Sequence, residues 1–249
     1  MHNLLELDNL QTSFFTRDGE VHAVRGVSFA LNAGELVGIV GESGCGKSVT
    51  CKSILQLLGN NGKITGGSVR FRGDDLAQKT PPQMRQIRGN DIAMIFQDPM
   101  TALNPVLTIG HQMAEILMRN KGLSRKSARE KALAMLDSVG IADAPRRFNQ
   151  YPHEFSGGMR QRVMIAIALS CDPQVLIADE PTTALDVTIQ AQILRLLKLL
   201  QQQTQTAILL ITHDLGVVAQ MCSRVVVMYG GLVMEAVSYT HLRAHETCA

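Results

Sequence analysis

The stretch "GESGCGKS", residues 41–48, constrains this chain more than any other. It matches GxxxxGK(S/T) in full, follows the short apolar run "ELVGIV" (35–40) and opens the run "KSVTCKSILQLLG" (47–59), which has helical spacing. A strand that ends in glycines and turns directly into a helix presents successive backbone N–H groups to an anion. The glycines let the backbone curl, the lysine adds a mobile positive charge, and the serine hydroxyl can ligate Mg²⁺. Gly41, Glu42, Ser43, Gly44, Cys45, Gly46, Lys47, Ser48 and Val49 are therefore expected to hold the phosphates of ATP or a similar nucleotide. The plain alternative, a tight turn that binds nothing, leaves the complete motif in this context unexplained.

The surrounding pattern predicts an α/β fold. "LLELDNLQTSF" and "VHAVRGVSFAL" alternate and are joined by the turn "TRDGE", so the N-terminal part reads as strands. "GGSVRFRG" (66–73), "DIAMIF" (91–96), "QVLIADE" (174–180) and "AILLITH" (207–213) read as further strands. "IQAQILRLLKLLQQQ" (189–203) is a strong helix, and "RVVVMYGGLVME" (224–235) is a hairpin turning at Gly230 and Gly231. Between about 100 and 170 only helical spacing is found, which predicts a helical insertion. Strands alternating with helices place ligands at the strand ends.

Other chemistry falls at those ends. "VLIADE" delivers the Asp179 carboxylate beside Mg²⁺, and Glu180 could accept a proton from an attacking water or orient it. His213 ends the last apolar strand and could bond a γ-phosphate; Gln97, also at a strand end, can reach Mg²⁺ and the water. An Asp-Glu pair after a strand can simply start a helix, and a lone His or Gln at a strand end is more often structural. The functional reading gains from their company. "EFSGGMRQR" (154–162) poses a further question, because Ser156, Gly157 and Gly158 before a helical run resemble a second phosphate site.

Bulk properties exclude some classes. The 249 residues carry a formal charge of only +2, so no global field favours nucleic acid or anionic lipid. The five scattered cysteines form no CxxC pair, which fits reduced thiols in a cytoplasmic protein. Apolar runs such as "VMIAIAL" are too short to span a bilayer, so work at a membrane would need partners to hold the chain there.

Taken together, the motifs resemble those of the ATP-binding subunit of an ABC transporter, over residues 3 to 236. "GESGCGKS" is similar to the family's Walker A, "FQDP" to its Q-loop, "FSGGMRQR" to its signature, "VLIADE" to Walker B, "TALD" (183–186) to the D-loop and "ITHD" to the switch histidine, in the family's order. The resemblance implies a P-loop NTPase core with an N-terminal antiparallel β subdomain and an inserted helical subdomain. "MIFQDPMTALNPVLTIG" and the segment from "YPHEFSGGMRQR" onward resemble the dipeptide/oligopeptide importer branch, with its nickel and glutathione relatives.

That likeness implies ATP and Mg²⁺ as ligands, with Ser48, Gln97 and Asp179 on the metal. It implies a second ATPase subunit, as a heterodimer or alternatively a homodimer, together with two transmembrane permease subunits and an extracytoplasmic solute-binding protein. It places the chain peripherally on the cytoplasmic face of the bacterial inner membrane, with no nucleic-acid partner. By position Phe14 matches the aromatic that stacks on adenine, Phe15 being the second candidate, and Asp186 joins the nucleotide-contacting set. Ser156, Gly157 and Gly158 would serve an ATP bound to the other subunit.

The chain departs from the commonest family pattern at Met159, usual in the peptide branch, and at Val49, which lacks a hydroxyl but keeps its N–H. Residues 237–249 resemble adapter-derived sequence, so they are expected to be a non-native tail with the family's C-terminal extension missing. His241, His245 and Cys248 there are three ligands on a terminus, too few for a structural metal site. A nucleic-acid- or ribosome-remodelling ABC ATPase would usually have two such units or long insertions, a non-hydrolysing module would not need both Glu180 and His213, and a P-loop kinase would not explain the second phosphate-type loop.

Overall fold

A computed structural model describes residues 3–98, 102–183 and 185–238. The chain divides into two compact units: one joins the residues up to Arg85 with those from Ala207 onward, and the other is Gln86–Thr206.

The first unit opens with an antiparallel sheet ordered β2-β1-β4-β5, built from β1 (Leu5–Thr16), β2 (Gly19–Leu31), β4 (Gly62–Phe71) and β5 (Asp74–Asp75). Leu5, Leu7 and Leu10 of β1 are buried. The interval lengthens from two to three because Asn9 takes a left-handed backbone (φ 48°), and its N–H bonds Ser28 Oγ at 2.8 Å. This bulge returns Leu10 to the core face that a strict alternation would have denied it.

The same unit holds β3 (Leu36–Val40) between β8 (Ala207–Ile211) and β9 (Arg224–Tyr229), parallel to both. All five residues of β3 and all five of β8 are buried, the continuous apolar run of strands covered on both faces. β10 (Leu232–Ser238) returns antiparallel along β9 through Gly230 and Gly231. α1 (Lys47–Ile54) leaves the end of β3, and α8 (Leu215–Met221) packs so near it that a Cβ at Gly38 would lie 2.9 Å from Val218 Cγ1.

The second unit contains the parallel pair β6 (Ile92–Ile95) and β7 (Val175–Asp179), with helices α3 (Ile109–Lys121), α4 (Arg125–Ser138), α5 (Ala144–Arg147), α6 (Gly157–Leu169) and α7 (Val187–Thr204). α6 is a core helix: Gln161, Val163, Met164, Ile165, Ala166, Ala168 and Leu169 are all buried. α7 buries a single stripe, Ile193, Leu194, Leu197 and Leu200, at the spacing of one helix face. α2 (Pro81–Ile87) precedes this unit's first strand.

Most expected elements lie where the periodicity puts them, and the differences have local causes. The helix expected through Gly59 stops at Ile54: Gln56 is left-handed (φ 49°) and the Leu57 N–H bonds Lys52 O at 2.8 Å, an ending that no glycine announces. The strand expected from Gly66 begins at Gly62. α2 and α8, seven residues each, are too short for an apolar repeat to reveal. Val237 and Ser238 continue β10 opposite Val225 and Arg224, while the rest of the expected tail, with His241, His245 and Cys248, lies outside the described residues, as do Pro99 and Ala184. α7 also ends on a left-handed residue, Gln205 (φ 55°). Gln205→Gly is expected to raise stability by roughly 0.5–1 kcal/mol, because glycine carries no Cβ penalty there; a thermal melt that moved down instead would contradict this account of the helix end.

Candidate functional site

In the first unit, β3 runs into the loop that ends at Gly46, the N-cap of α1. Gly46 has φ 101° and makes no side-chain hydrogen bond to the first turn. Most longer helices differ: Thr108, Ser124, Ser156, Asp186 and Asp214 cap α3, α4, α6, α7 and α8 in turn with a side-chain oxygen, while the four-residue α5 has no such bond from Asp143. The start of α1 has no such internal anion mimic, which leaves its positive end for an external one. Nor could a larger residue supply one, since a Cβ at Gly46 would fall 2.5 Å from Ala23 O.

Lys47 is only 5% exposed. Its ammonium donates to Gly41 O at 2.7 Å and Glu42 O at 2.8 Å, with Cys45 Sγ 3.7 Å away. A buried cation is thus satisfied by loop carbonyls, which keeps the loop curled and, among the described residues, its charge uncancelled by a carboxylate. Glu42, Ser43 and Gly44 are exposed at the loop's crest, Cys45 is buried, and Ser48 and Val49 in the first helical turn are half-buried. β8 lies beside β3 with Ile211 opposite Ile39, and the Thr212 N–H bonds Ile39 O at 3.2 Å. His213 follows, exposed, so the same end of the parallel strands carries both the loop and the imidazole.

Phe14 pairs with Val21 and Gly62 in the antiparallel sheet. Its half-buried ring covers Gly62 so closely that a Cβ there would lie 2.8 Å from Cε1. Phe15 is 45% exposed, with Lys63 Nζ 5.9 Å from its ring centre.

In the second unit, Asp179 closes β7 and is 4% exposed. Glu180 follows with a left-handed backbone, φ 46°, a conformation that costs a non-glycine residue about 1–3 kcal/mol and clusters at functional sites. The chain then turns, with the Thr183 N–H on Glu180 O at 3.2 Å. The Glu180 carboxylate is held: Oε2 accepts from Gln97 Nε2 at 3.0 Å and from the Thr183 hydroxyl at 2.9 Å. Gln97, exposed and two residues past β6, thus meets the carboxylate that sequence reasoning grouped with it. Thr183 received no role from the sequence beyond membership of its motif. Pro181, second in a turn that starts on the acid, signals the turn but not the side-chain bond.

Ser156 caps α6 by accepting from the Met159 N–H at 3.3 Å. The chain leading to it is braced. Glu154 accepts from the Tyr151 N–H at 2.7 Å and from Gln150 Nε2 at 3.1 Å, and Arg160 Nε donates to Phe155 O at 2.9 Å. Ser156 and Gly157 are exposed although most of the helix behind them is buried. A Cβ at Gly157 would make only ordinary contact, 3.6 Å from Leu185 Cδ2, whereas one at Gly158 would lie 2.7 Å from Ile189 Cγ2. Asp186 has a structural task the sequence reading did not foresee: it caps α7 by accepting from the Ile189 N–H at 2.9 Å. Among the described residues no group of three or more His, Cys, Asp or Glu could hold a metal ion by itself, and no helix is long and apolar enough to cross a membrane.

A family model described as ABC transporter matches residues 24–183. The dipeptide transport ATP-binding protein DppD of Bacillus subtilis (strain 168) is 59% identical over 236 residues, covering 94% of this chain and 70% of that protein. The oligopeptide transport ATP-binding protein OppD of Salmonella typhimurium is 54% identical over 232 residues, covering 93% and 69%. The dimeric post-hydrolysis state of the ATP-binding cassette MJ0796, bound to ADP and Pi, superimposes with a TM-score of 0.84 at 29% identity, covering 94% of this chain and 98% of that one. CbiO1 from Clostridium perfringens, part of the transporter complex cbiONQ, gives 0.82 at 27% identity, covering 99% and 92%. With a matched family model, close relatives along most of its length and a shared fold, the chain belongs to the ABC transporter family, as one of its ATP-binding, ATP-hydrolysing subunits.

Proposed function

We propose that this subunit energises the import of dipeptides, oligopeptides or a related solute. The observation that carries the ATPase half of this reading is the uncapped start of α1 behind a loop closed by a buried Lys47. The solute class rests on the relatives, dipeptide and oligopeptide transport proteins at 59% and 54% identity.

The roles divide by unit. In the first, the backbone from Gly41 to Val49 receives the phosphates, and Lys47 exchanges its carbonyl partners for phosphate oxygens. Ser48 offers its hydroxyl to the accompanying Mg²⁺, His213 bonds the γ-phosphate, and Phe14 stacks on the adenine with Phe15 as the alternative. In the second, Asp179 and Gln97 offer oxygens to the cation. The donor set suits a hard ion that prefers oxygen, and the Gln97 amide, bonded through its nitrogen to Glu180 in the resting chain, carries a carbonyl oxygen that it can turn to the ion. When bound, Mg²⁺ would neutralise phosphate charge. Glu180 takes the proton of the water that attacks the γ-phosphorus as the bond to ADP breaks.

The second phosphate-type loop serves a different nucleotide. Ser156, Gly157, Gly158 and Asp186 face an ATP held by a partner ATPase subunit, in a sandwich of two subunits and two nucleotides. Ser156 already accepts the Met159 N–H, so its own O–H proton is the group it can donate. The partner would be a second, similar ATPase, or a second copy of this chain. Two transmembrane permease subunits hold the pair at the cytoplasmic face of the membrane, and an extracytoplasmic binding protein selects the solute. Residues 1–236 form the nucleotide-binding domain in this reading, with its helical subdomain at about 100–170.

Three substitutions separate these roles. Glu180→Gln should retain ATP and trap a dimer while hydrolysis falls by about two to four orders of magnitude, the scale for losing a general base; wild-type turnover would sink the assignment. Lys47→Ala should weaken nucleotide binding by the isolated chain, and unchanged ATP affinity would count against the phosphate loop. Gly157→Asp adds a side chain where there is room for one, so the fold and monomer binding should survive while ATP-driven dimerisation and turnover are lost. Loss of ATP binding by the monomer would instead mean that both loops serve one nucleotide.

A further inference from the structure

The general base proposed above has two donors on one oxygen, and they differ in kind. Gln97 reaches Glu180 Oε2 at 3.0 Å from the loop after β6, 83 residues away in the chain. Thr183 reaches the same oxygen at 2.9 Å from within the turn that Glu180 itself begins. Gln97 is exposed, and its amide is one of the groups assigned to the cation, so its bond to the carboxylate is exchangeable. Thr183 is tied to Glu180 by the turn's own backbone hydrogen bond at 3.2 Å, with Pro181 restricting the second position. Its hydroxyl stays beside the carboxylate whatever Gln97 does.

A glutamate that must receive a proton at one defined position has three side-chain torsions to fix, and a rate is sensitive to sub-ångström placement of the accepting oxygen. The left-handed backbone of Glu180, φ 46°, fixes the direction in which its side chain leaves the strand. The Thr183 hydroxyl fixes its far end. We propose that Thr183 is a positioning residue that holds the Glu180 carboxylate in its proton-accepting orientation when Gln97 turns to the nucleotide and its cation. This rests on Glu180 being the base.

Thr183 is exposed, so replacing its hydroxyl by a methyl group leaves the folded core untouched. Thr183→Val, Thr183→Ser and Glu180→Gln are compared in the assembled transporter by steady-state ATP hydrolysis, with Glu180→Gln defining how much of the turnover this chain carries. Thr183→Val is expected to lower that share of kcat by roughly ten- to a hundredfold, the scale of losing one hydrogen bond to a charged group or of misplacing a catalytic group. The KM for ATP should stay within about twofold, because an interaction that acts only on the chemical step leaves binding alone. Thr183→Ser, which keeps the hydroxyl, should restore most of the rate. Wild-type kcat in Thr183→Val beside an inactive Glu180→Gln would overturn the positioning role and leave the ATPase reading standing. An equal fall in Thr183→Ser would overturn it too, since the methyl group and not the hydroxyl would then matter. Wild-type turnover in Glu180→Gln would remove the base itself, and this inference with it.

Discussion

The candidate phosphate loop is built on a helix that begins without a side-chain cap. A helix start carries several N–H groups with no intrahelical partner, and most helices here answer them with a serine, threonine or aspartate side chain. α1 answers them with Gly46, which has nothing to offer. The missing side-chain cap lowers the stability of that helix by roughly a few tenths of a kcal/mol in isolation, since glycine is a tolerated N-cap. What offsets it is the surrounding packing: Cys51 and Ile54 of α1 are fully buried, and Leu36, Val37, Ile39 and Val40 of β3 are buried on both faces. The sheet holds the loop in place, so the loop itself can be left unfinished for a ligand to complete.

The second loop with a serine and two glycines follows a different physical plan, which is why it is not a duplicate. At α6 the serine caps its own helix, and the loop is braced by Glu154 and Arg160. Among the described residues no lysine folds back onto it. It is a finished surface on a helix whose body is core. An uncapped, lysine-closed loop suits tight capture of a phosphate chain, whereas a capped, exposed and rigidly mounted helix start suits brief contact with a phosphate held elsewhere.

How far such a plan could be read from the sequence depends on whether the feature is local. The phosphate loop was legible because glycine spacing, the preceding apolar strand and the following helix are all contiguous. The buried strands were legible for the same reason. The end of α1 was not, because Gln56 adopts a backbone that sequence rules reserve for glycine and asparagine. α2 and α8 are too short for an apolar repeat to reveal, although Asp214 before "LGVVAQ" is a cap signal. The bond from Gln97 to Glu180 could be guessed at the level of neighbourhood, since both end strands. The bond from Thr183 could not, because it depends on which way the Glu180 side chain leaves a left-handed residue.

Several motif residues therefore carry two tasks, and the tasks cannot be separated by removing the residue. Ser156 caps α6, Asp186 caps α7 and Asp214 caps α8, while the first two also belong to nucleotide-contacting motifs. An alanine at Asp186 would lose about 1 kcal/mol of helix capping before any effect on a nucleotide is counted. The coincidence has a cause. In a sheet of this kind ligands collect where strands end and helices begin, and helix starts are where Ser and Asp are wanted in any protein. The same short polar side chains that satisfy the fold in the resting chain are therefore the ones placed where a ligand would come. Asparagine at Asp186 keeps the cap oxygen and removes only the charge, so it, rather than alanine, isolates the electrostatic part of that residue's role.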